Sequence, residues 1–136
     1  MRGFFRNTSG NFGLLAGLMM VPVIGAAGLA LDYSNALTVK TRIQGAADAA
    51  ALAAVAESSV GVKQAMAMSG DGEVPFAADE AIKFFKAQNE GDSDFVLDEV
   101  SAKITKKNGR LYSIVDYKVT VPTTLSPIII EAPGAA

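Results

Sequence analysis

The chain has 136 residues, of which 50% are hydrophobic and only 7% aromatic, and its formal net charge is −2. This length predicts one domain, or one domain with an appendage, and the absence of a basic cluster argues against nucleic-acid binding. The sequence contains no Cys and no His. Thiol nucleophiles, disulfides, Cys/His zinc sites and imidazole acid–base catalysis are therefore excluded, and we expect a non-enzymatic protein without a cofactor.

The first predicted element is a membrane-spanning helix over residues 12–31, FGLLAGLMMVPVIGAAGLAL, which contains no charged residue. At about 1.5 Å per residue it is long enough to cross the roughly 30 Å hydrocarbon core of a bilayer. Arg2 and Arg6 precede it, so residues 1–11 are expected in the cytoplasm and the chain after Asp32 on the other side. A cleaved signal peptide or a buried helix of a soluble protein are the alternatives. The apolar run is longer than the roughly 7–15 residues of a signal peptide, which favours a retained span.

Several residues of this segment are typical of helices that pack inside a membrane. Pro22 removes one helical hydrogen bond and is expected to kink the helix, which neighbouring helices can accommodate. Gly13 and Gly17 form a small-xxx-small pattern, and Gly28 also allows another helix to approach closely. The lipid bilayer and a second helix are the expected partners.

The span is expected to continue as one helix to about Val60, and residues 32–68 are assigned to this exported continuation. Only Gly45 disfavours the helix, by about 1 kcal/mol relative to alanine. A repeat of three and four residues places a set of small or apolar side chains on one face, namely Ala36, Ile43, Ala47, Ala50 and Ala54.

Beside this face Lys40, Gln44 and Asp48 form a row at i, i+4 spacing, with an expected hydrogen bond between Gln44 and Asp48. The alanine face can pack beneath the exported domain or against a sister helix in an assembly, and the two arrangements are compatible.

The segment from Arg6 to Ala54 resembles the N-terminal region of the TadG-like proteins, in the TadE/TadG family of the Tad (tight adherence, Flp or type IVc pilus) system. The residues that carry the resemblance are Ser9-Gly10-Asn11, Pro22, the AGLALDY stretch from Ala27 to Tyr33, and the IQGAADAAALAA block from Ile43 to Ala54.

This resemblance implies a non-enzymatic pseudopilin-like or minor-pilin-like subunit that assembles or anchors a thin adhesive pilus. It implies a single-pass protein of the bacterial inner membrane with a periplasmic or extracellular C-terminal domain. Other Tad pilus or secretion proteins, or sister pilin-like subunits, would be bound through the N-terminal helix. The residues expected to pack there are Gly13, Gly17, Pro22, Gly28, Asp32, Gln44, Ala47, Asp48, Ala50 and Ala54.

Two features of the family are not carried over. Longer members have a von Willebrand A-type domain with a metal-binding D-x-S-x-S loop, which this sequence lacks, so metal-dependent adhesion is not implied. Cleavage by a prepilin peptidase after Gly10 would place Leu15, rather than the usual Glu, at the fifth position of the mature chain. Processing and a role as the major pilin are therefore not expected. The alternative function is a membrane-anchored, exported binding module unrelated to pili.

Residues 69–136 are expected to form a small α+β domain. SGDGEVP (residues 69–75) predicts a loop, and a helix is expected to follow it with Ala78, Ala81, Ile82 and Phe85 on one face. Residues 95–105 and 111–121 predict two strands joined at Asn108-Gly109, and residues 128–131 an edge strand. The second strand alternates, with one face formed by Leu111, Ser113, Val115, Tyr117, Val119 and Val121. A long helix packed on a small antiparallel sheet is a pilin-like arrangement by fold-level analogy.

Two charged clusters are candidate sites. EGDSD (residues 90–94) could hold calcium, but it lacks the spacing of an EF-hand, and a helix-ending turn with solvated acids is the preferred interpretation. Lys106 and Lys107 are expected to be solvated in the hairpin. No metal site is expected.

Overall fold

The apolar segment and the alanine-rich segment belong to one helix, α1 (Thr8–Ala54), in a computed structural model that describes residues 8–124 and 126–132. Pro22 lies inside the helix, and no strand or reversal interrupts the described chain between Thr8 and Ala54. The boundary between two compact units falls within α1, after Asn35.

The expected extension of α1 to about Val60 is wrong. The helix ends at Ala54, and a turn leads to a second helix, α2 (Val60–Ala67). Ser59 explains the interruption, because its hydroxyl donates to the Ala54 carbonyl at 3.0 Å and accepts from the Val62 amide at 3.1 Å. A serine side chain competes with the backbone for hydrogen bonds, and for this reason serine favours helix caps over helix interiors.

In the N-terminal unit, the described residues from Phe12 to Asn35 are exposed except for Gly28 and Asp32, which are half-buried. α1 is the one helix of the described chain long and apolar enough to cross a membrane, with a mean hydropathy of 2.2 over a window of which none is buried.

The C-terminal unit is an α+β domain, as predicted. After residues 36–54 of α1 it contains α2, β1 (Gly72–Glu73), α3 (Pro75–Gln88), β2 (Val96–Lys107), β3 (Arg110–Val121) and β4 (Ile128–Glu131). The strands form one sheet in the order β1-β2-β3-β4, and all three pairings are antiparallel.

The β2–β3 hairpin turns where the sequence predicts. Asn108 and Gly109 have φ angles of 51° and 74°, the left-handed values that a two-residue type I′ turn requires. The strands pair in register up to a bulge between Leu97 and Glu99. The β4 segment pairs with the end of β3 and lies at the sheet edge, as predicted.

One strand was missed, because β1 lies in the segment predicted as a loop. Gly72 and Glu73 pair with Lys106 and Thr105, and the amide of the fully buried Val74 donates to the Ile104 carbonyl at 2.9 Å. The burial of Val74 next to the sheet outweighs the local preference of its glycine-rich neighbours for a turn.

The core lies where α1 and α3 meet one face of the sheet. The predicted alanine face is buried in full, and the inward alternation of β3 is confirmed at Val115, Tyr117, Val119 and Val121. On α3 the fully buried residues are Ala77, Ala81 and Phe85, whereas Ala78 and Ile82 are half-buried. The rings of Phe85 and Tyr117 stack with their centroids 5.9 Å apart.

Candidate functional site

The N-terminal unit presents a large apolar surface. Its exposed apolar side chains are Phe12, Leu14, Leu15, Leu18, Met19, Met20, Val21, Val23, Ile24, Leu29, Leu31 and Tyr33. A soluble monomer rarely exposes a contiguous apolar area of this kind, and such areas mark contact with a membrane or another protein.

The glycines predicted for helix packing lie in this segment and have no close neighbours. A Cβ atom added to Gly13, Gly17 or Gly28 would meet no heavy atom within 4 Å outside the local helix backbone. Their small size is therefore not required by contacts within the described chain, and it leaves room for a partner helix. Pro22 is exposed and Asp32 half-buried in the same segment.

The predicted residues of the alanine-rich segment separate into two groups. Ala47, Ala50 and Ala54 are buried in the domain core. Of the two arrangements predicted for this face, the structure therefore has packing beneath the C-terminal domain of the same chain. Gln44 and Asp48 are exposed, and the hydrogen bond predicted between them is not formed in the described chain.

The EGDSD turn pairs with α1. The Arg42 guanidinium contacts the Asp92 carboxylate at 2.5 Å and the Asp94 carboxylate at 3.2 Å, and it lies 5.9 Å from the centre of the Phe95 ring. The Asp94 amide donates to Asp92 at 2.9 Å, which orders the turn. These two acids are partners of a cation on α1 rather than only solvated. Arg42 was missed, although an acidic turn in a chain with few arginines could have indicated a basic partner.

Lys106 is also not simply solvated. Its ammonium donates to the carbonyls of Ala65 and Met68 at 2.7 and 2.8 Å, at the end of α2. A cation at this position satisfies carbonyls that have no helical partner and interacts favourably with the helix dipole. The interaction joins β2 to α2, which lies far away in sequence.

A groove of about 230 Å³ lies between α1 and the part of β3 that β4 does not cover; its lining includes Gln44, Asp48 and Ser113. Tyr117 is also one of its lining residues. Burial, and to a smaller extent the nearby Asp48 carboxylate, raise the pKa of this tyrosine above its usual range.

A second charged cluster occupies the opposite face of the sheet. Lys118 pairs with Glu131 at 2.6 Å, and this hydrogen bond and charge raise the pKa of the lysine, with smaller contributions from Asp98 and Glu99. Within residues 8–124 and 126–132, no group of three or more acidic side chains is placed to hold a metal ion.

An exposed apolar helix and a small α+β domain fit the class of membrane-anchored proteins. Residues 10–57 match the model of a family described as Tad, putative Flp pilus-assembly TadE/G-like. This match confirms the resemblance predicted from Arg6 to Ala54. No curated protein and no solved structure matches the chain.

The matched segment closely coincides with α1. It begins two residues after Thr8 and ends three residues after Ala54. The matched segment of this chain is therefore a helix with an exposed apolar part and a part that belongs to the domain core. The whole sheet, α2 and α3 lie outside the match. The match implicates residues 10–57 in assembly of the Tad (Flp) pilus, and the family suggests other components of that pilus as partners.

Proposed function

We propose that this chain is a non-enzymatic, membrane-anchored subunit, similar to a pseudopilin or minor pilin, that assembles or anchors a Tad pilus. The observation that carries the proposal is the coincidence of the family match with α1, together with the exposure of the apolar part of that helix, where no residue of the most apolar window is buried. A pilus-assembly helix with this surface needs an apolar environment, and a bilayer provides one.

The charge pattern supports an orientation. Arg2 and Arg6 precede the apolar segment, and the segment itself contains no charge up to Asp32. Positive residues are retained on the cytoplasmic side of a membrane. We therefore propose that the N-terminus lies in the cytoplasm, the span in the inner membrane, and the α+β domain in the periplasm or outside the cell.

Partner binding through α1 is supported by the glycines. Gly13 and Gly17 are four residues apart, and open space surrounds both. Helices in lipid associate mainly through close packing, so small residues at this spacing favour contact with another span. The proposed partners are sister pilin-like subunits or other Tad proteins. Gly28 and the kink expected at Pro22 would shape the same contact.

Orientation can be tested directly because the chain has no Cys. Asn7→Cys and Ser93→Cys each introduce a single thiol, before the span and on the exposed turn of the domain. We expect a membrane-impermeant maleimide to label Ser93→Cys in spheroplasts and to label Asn7→Cys only after lysis. Equal labelling of both in spheroplasts, or recovery of the protein in the soluble fraction, contradicts the proposal.

The pilus role is tested in the source bacterium by deletion and complementation. We expect deletion to lower the number of surface pili counted by electron microscopy and the parent chain to restore it. Gly17→Leu should restore fewer pili, whereas Ala16→Leu, one residue away on another helix face, serves as the matched control. Normal piliation in the deletion strain would favour the alternative, an exported binding module unrelated to pili.

A further inference from the structure

Most of one edge of β3 is open. β4 pairs only with the stretch from Lys118 to Val121, so residues 110–117 have no strand neighbour on this side within the described chain. The Ala132 amide donates to the Tyr117 carbonyl at 3.0 Å, which shows that the backbone groups of Tyr117 face this edge. Because backbone direction alternates along a strand, the N–H and C=O groups of Val115 and Ser113 face it as well.

The groove of about 230 Å³ runs beside these groups. Its α1 side is formed by Gln44, Ala47, Asp48 and Ala51, and its sheet side includes Ser113 and Val115. The Ser113 hydroxyl oxygen is buried and has no hydrogen-bond partner among the described residues. A strand added at this edge would meet small side chains and several unpaired polar groups.

All the charged residues that line the groove are acidic. Asp48 and Asp116 are among its lining residues, and none of the lining residues is a Lys or Arg. Asp48 is exposed, and it takes part in none of the ion pairs of the described chain. A cationic side chain is the complementary partner.

We propose that the open edge of β3 binds an extended strand of a partner protein, with a Lys or Arg side chain of that strand directed at Asp48. Strand addition uses the main-chain groups of Ser113 and Val115 for affinity, and the alternating side chains of the added strand for specificity. This proposal goes beyond pilus assembly as such and does not depend on it.

A second copy of the same edge fits less well. The residues of β3 whose backbone faces the edge are Leu111, Ser113 and Val115, and none of them carries a positive charge. Pairing two such edges would leave both Asp48 carboxylates without a cationic partner. The chemistry therefore favours a different, basic strand.

The test uses the full chain in detergent micelles and a synthetic seven-residue peptide, Thr-Val-Thr-Lys-Thr-Val-Thr, with blocked ends. We expect saturable binding that slows hydrogen exchange at the Ser113 and Val115 amides. A peptide with Glu in place of Lys should bind about tenfold more weakly, since a like charge would face Asp48. Asp48→Asn should weaken binding of the Lys peptide to a similar extent. Asp79→Asn, which removes an exposed acid from α3, should leave it unchanged.

Each other result overturns the proposal. Absence of binding, or equal affinity of the Lys and Glu peptides, rules out the basic strand. Amides of Ser113 and Val115 that are already protected without peptide show that the chain covers its own edge. Self-association that competes with the peptide identifies a second copy as the occupant. Thermal unfolding of Asp48→Asn and Asp79→Asn confirms that both variants are folded before affinities are compared.

Discussion

The two parts of α1 distribute their side chains in opposite ways. Before Asn35 the large side chains Leu, Met, Val and Ile are exposed, whereas after it mainly alanines are buried, with Val39 and Ile43 as the larger members. In a water-soluble helix the larger apolar residues are those removed from solvent. The reversal indicates that the first part is adapted to an apolar environment outside the chain and the second to close contact inside it.

Alanine suits the second part because it lets backbone elements approach closely. Ala50 and Ala54 are almost completely buried, although each covers little area. Burial contributes about 25 cal/mol per Å² of apolar surface, so these residues contribute modestly one by one. The larger gain comes from Ile43, Phe85 and the β3 side chains that the alanines allow to pack. Single substitutions should therefore act very differently in the two parts.

The largest effect is expected at Ile43, which is fully buried. Ile43→Ala should lower the free energy of unfolding of the C-terminal unit by about 2–5 kcal/mol, from lost burial and the cavity left behind. Chemical denaturation of the full chain in detergent measures this change in the free energy of unfolding. The matched control is Ile24→Ala, at a residue of the same helix that is 67% exposed. Equal destabilisation by the two variants would contradict the division of α1.

The converse substitution places a charge in the exposed part. Ile24→Arg should reduce membrane retention, because an arginine at the centre of a span costs about 3 kcal/mol, while the unfolding of the C-terminal unit stays as in the parent. Fractionation of membranes and near-UV circular dichroism report the two properties. Ile24→Leu serves as control. Retention of Ile24→Arg at the parental level would argue against a spanning role for residues 12–31.

The structural features that the sequence predicts are those that depend on residues close together in the chain. Periodicity indicated α1, the burial of Ala47 and Ala50, and the alternation of β3, because these patterns are local. Asn108-Gly109 specified its turn for the same reason. Interactions between distant segments were missed, and β1 was missed because it exists only through pairing with β2.

The candidate sites show the same limit. Arg42 forms an ion pair with Asp92, which lies 50 positions later in the sequence. Lys106 donates to the carbonyl of Ala65, at the end of α2, which lies 41 positions earlier. No spacing rule connects such residues. The open edge of β3 was not predicted either, because it results from the short length of β4 relative to β3. The glycines of the span and Asp48 were selected from the sequence, and their roles in assembly stay predictions.

A smaller effect is expected where α1 ends. A Cβ atom at Gly61 would lie 2.5 Å from the Ala77 Cβ and 2.7 Å from the Ala54 carbonyl oxygen. Gly61→Ala should therefore destabilise the C-terminal unit by about 1–3 kcal/mol through overpacking. The matched control is Gly45→Ala within α1, where an added Cβ atom would meet no heavy atom within 4 Å outside the local helix backbone. This variant should stabilise the helix by up to about 1 kcal/mol. If the denaturation midpoints of Gly61→Ala and Gly45→Ala move in the same direction, Gly61 is not packed too tightly against Ala77 and Ala54 to accept a methyl group.

The smallest effect concerns pH and the contact of α1 with β3. Burial, and then Asp48, raise the pKa of Tyr117, so the folded protein keeps the phenolic proton at a pH where the unfolded chain loses it. The associated stability is complete below a pH of about 10, the ordinary pKa of tyrosine, and is lost as the pH rises above it. The raised pKa of Lys118 acts in the same direction.

Tyr117→Phe should therefore flatten, without abolishing, the decline of unfolding free energy between about pH 9 and pH 11. The phenylalanine keeps the ring beside Phe85. Asp48→Asn should flatten the decline less, because burial is the larger cause of the shift and remains in that variant. Tyr112→Phe, at a residue of the same strand that is 51% exposed, serves as the matched control. If the unfolding free energy falls with pH equally steeply in Tyr117→Phe and in the parent, the tyrosine is as hydrated in the folded chain as in the unfolded one. The α1 residues beside it would then not shield it from water.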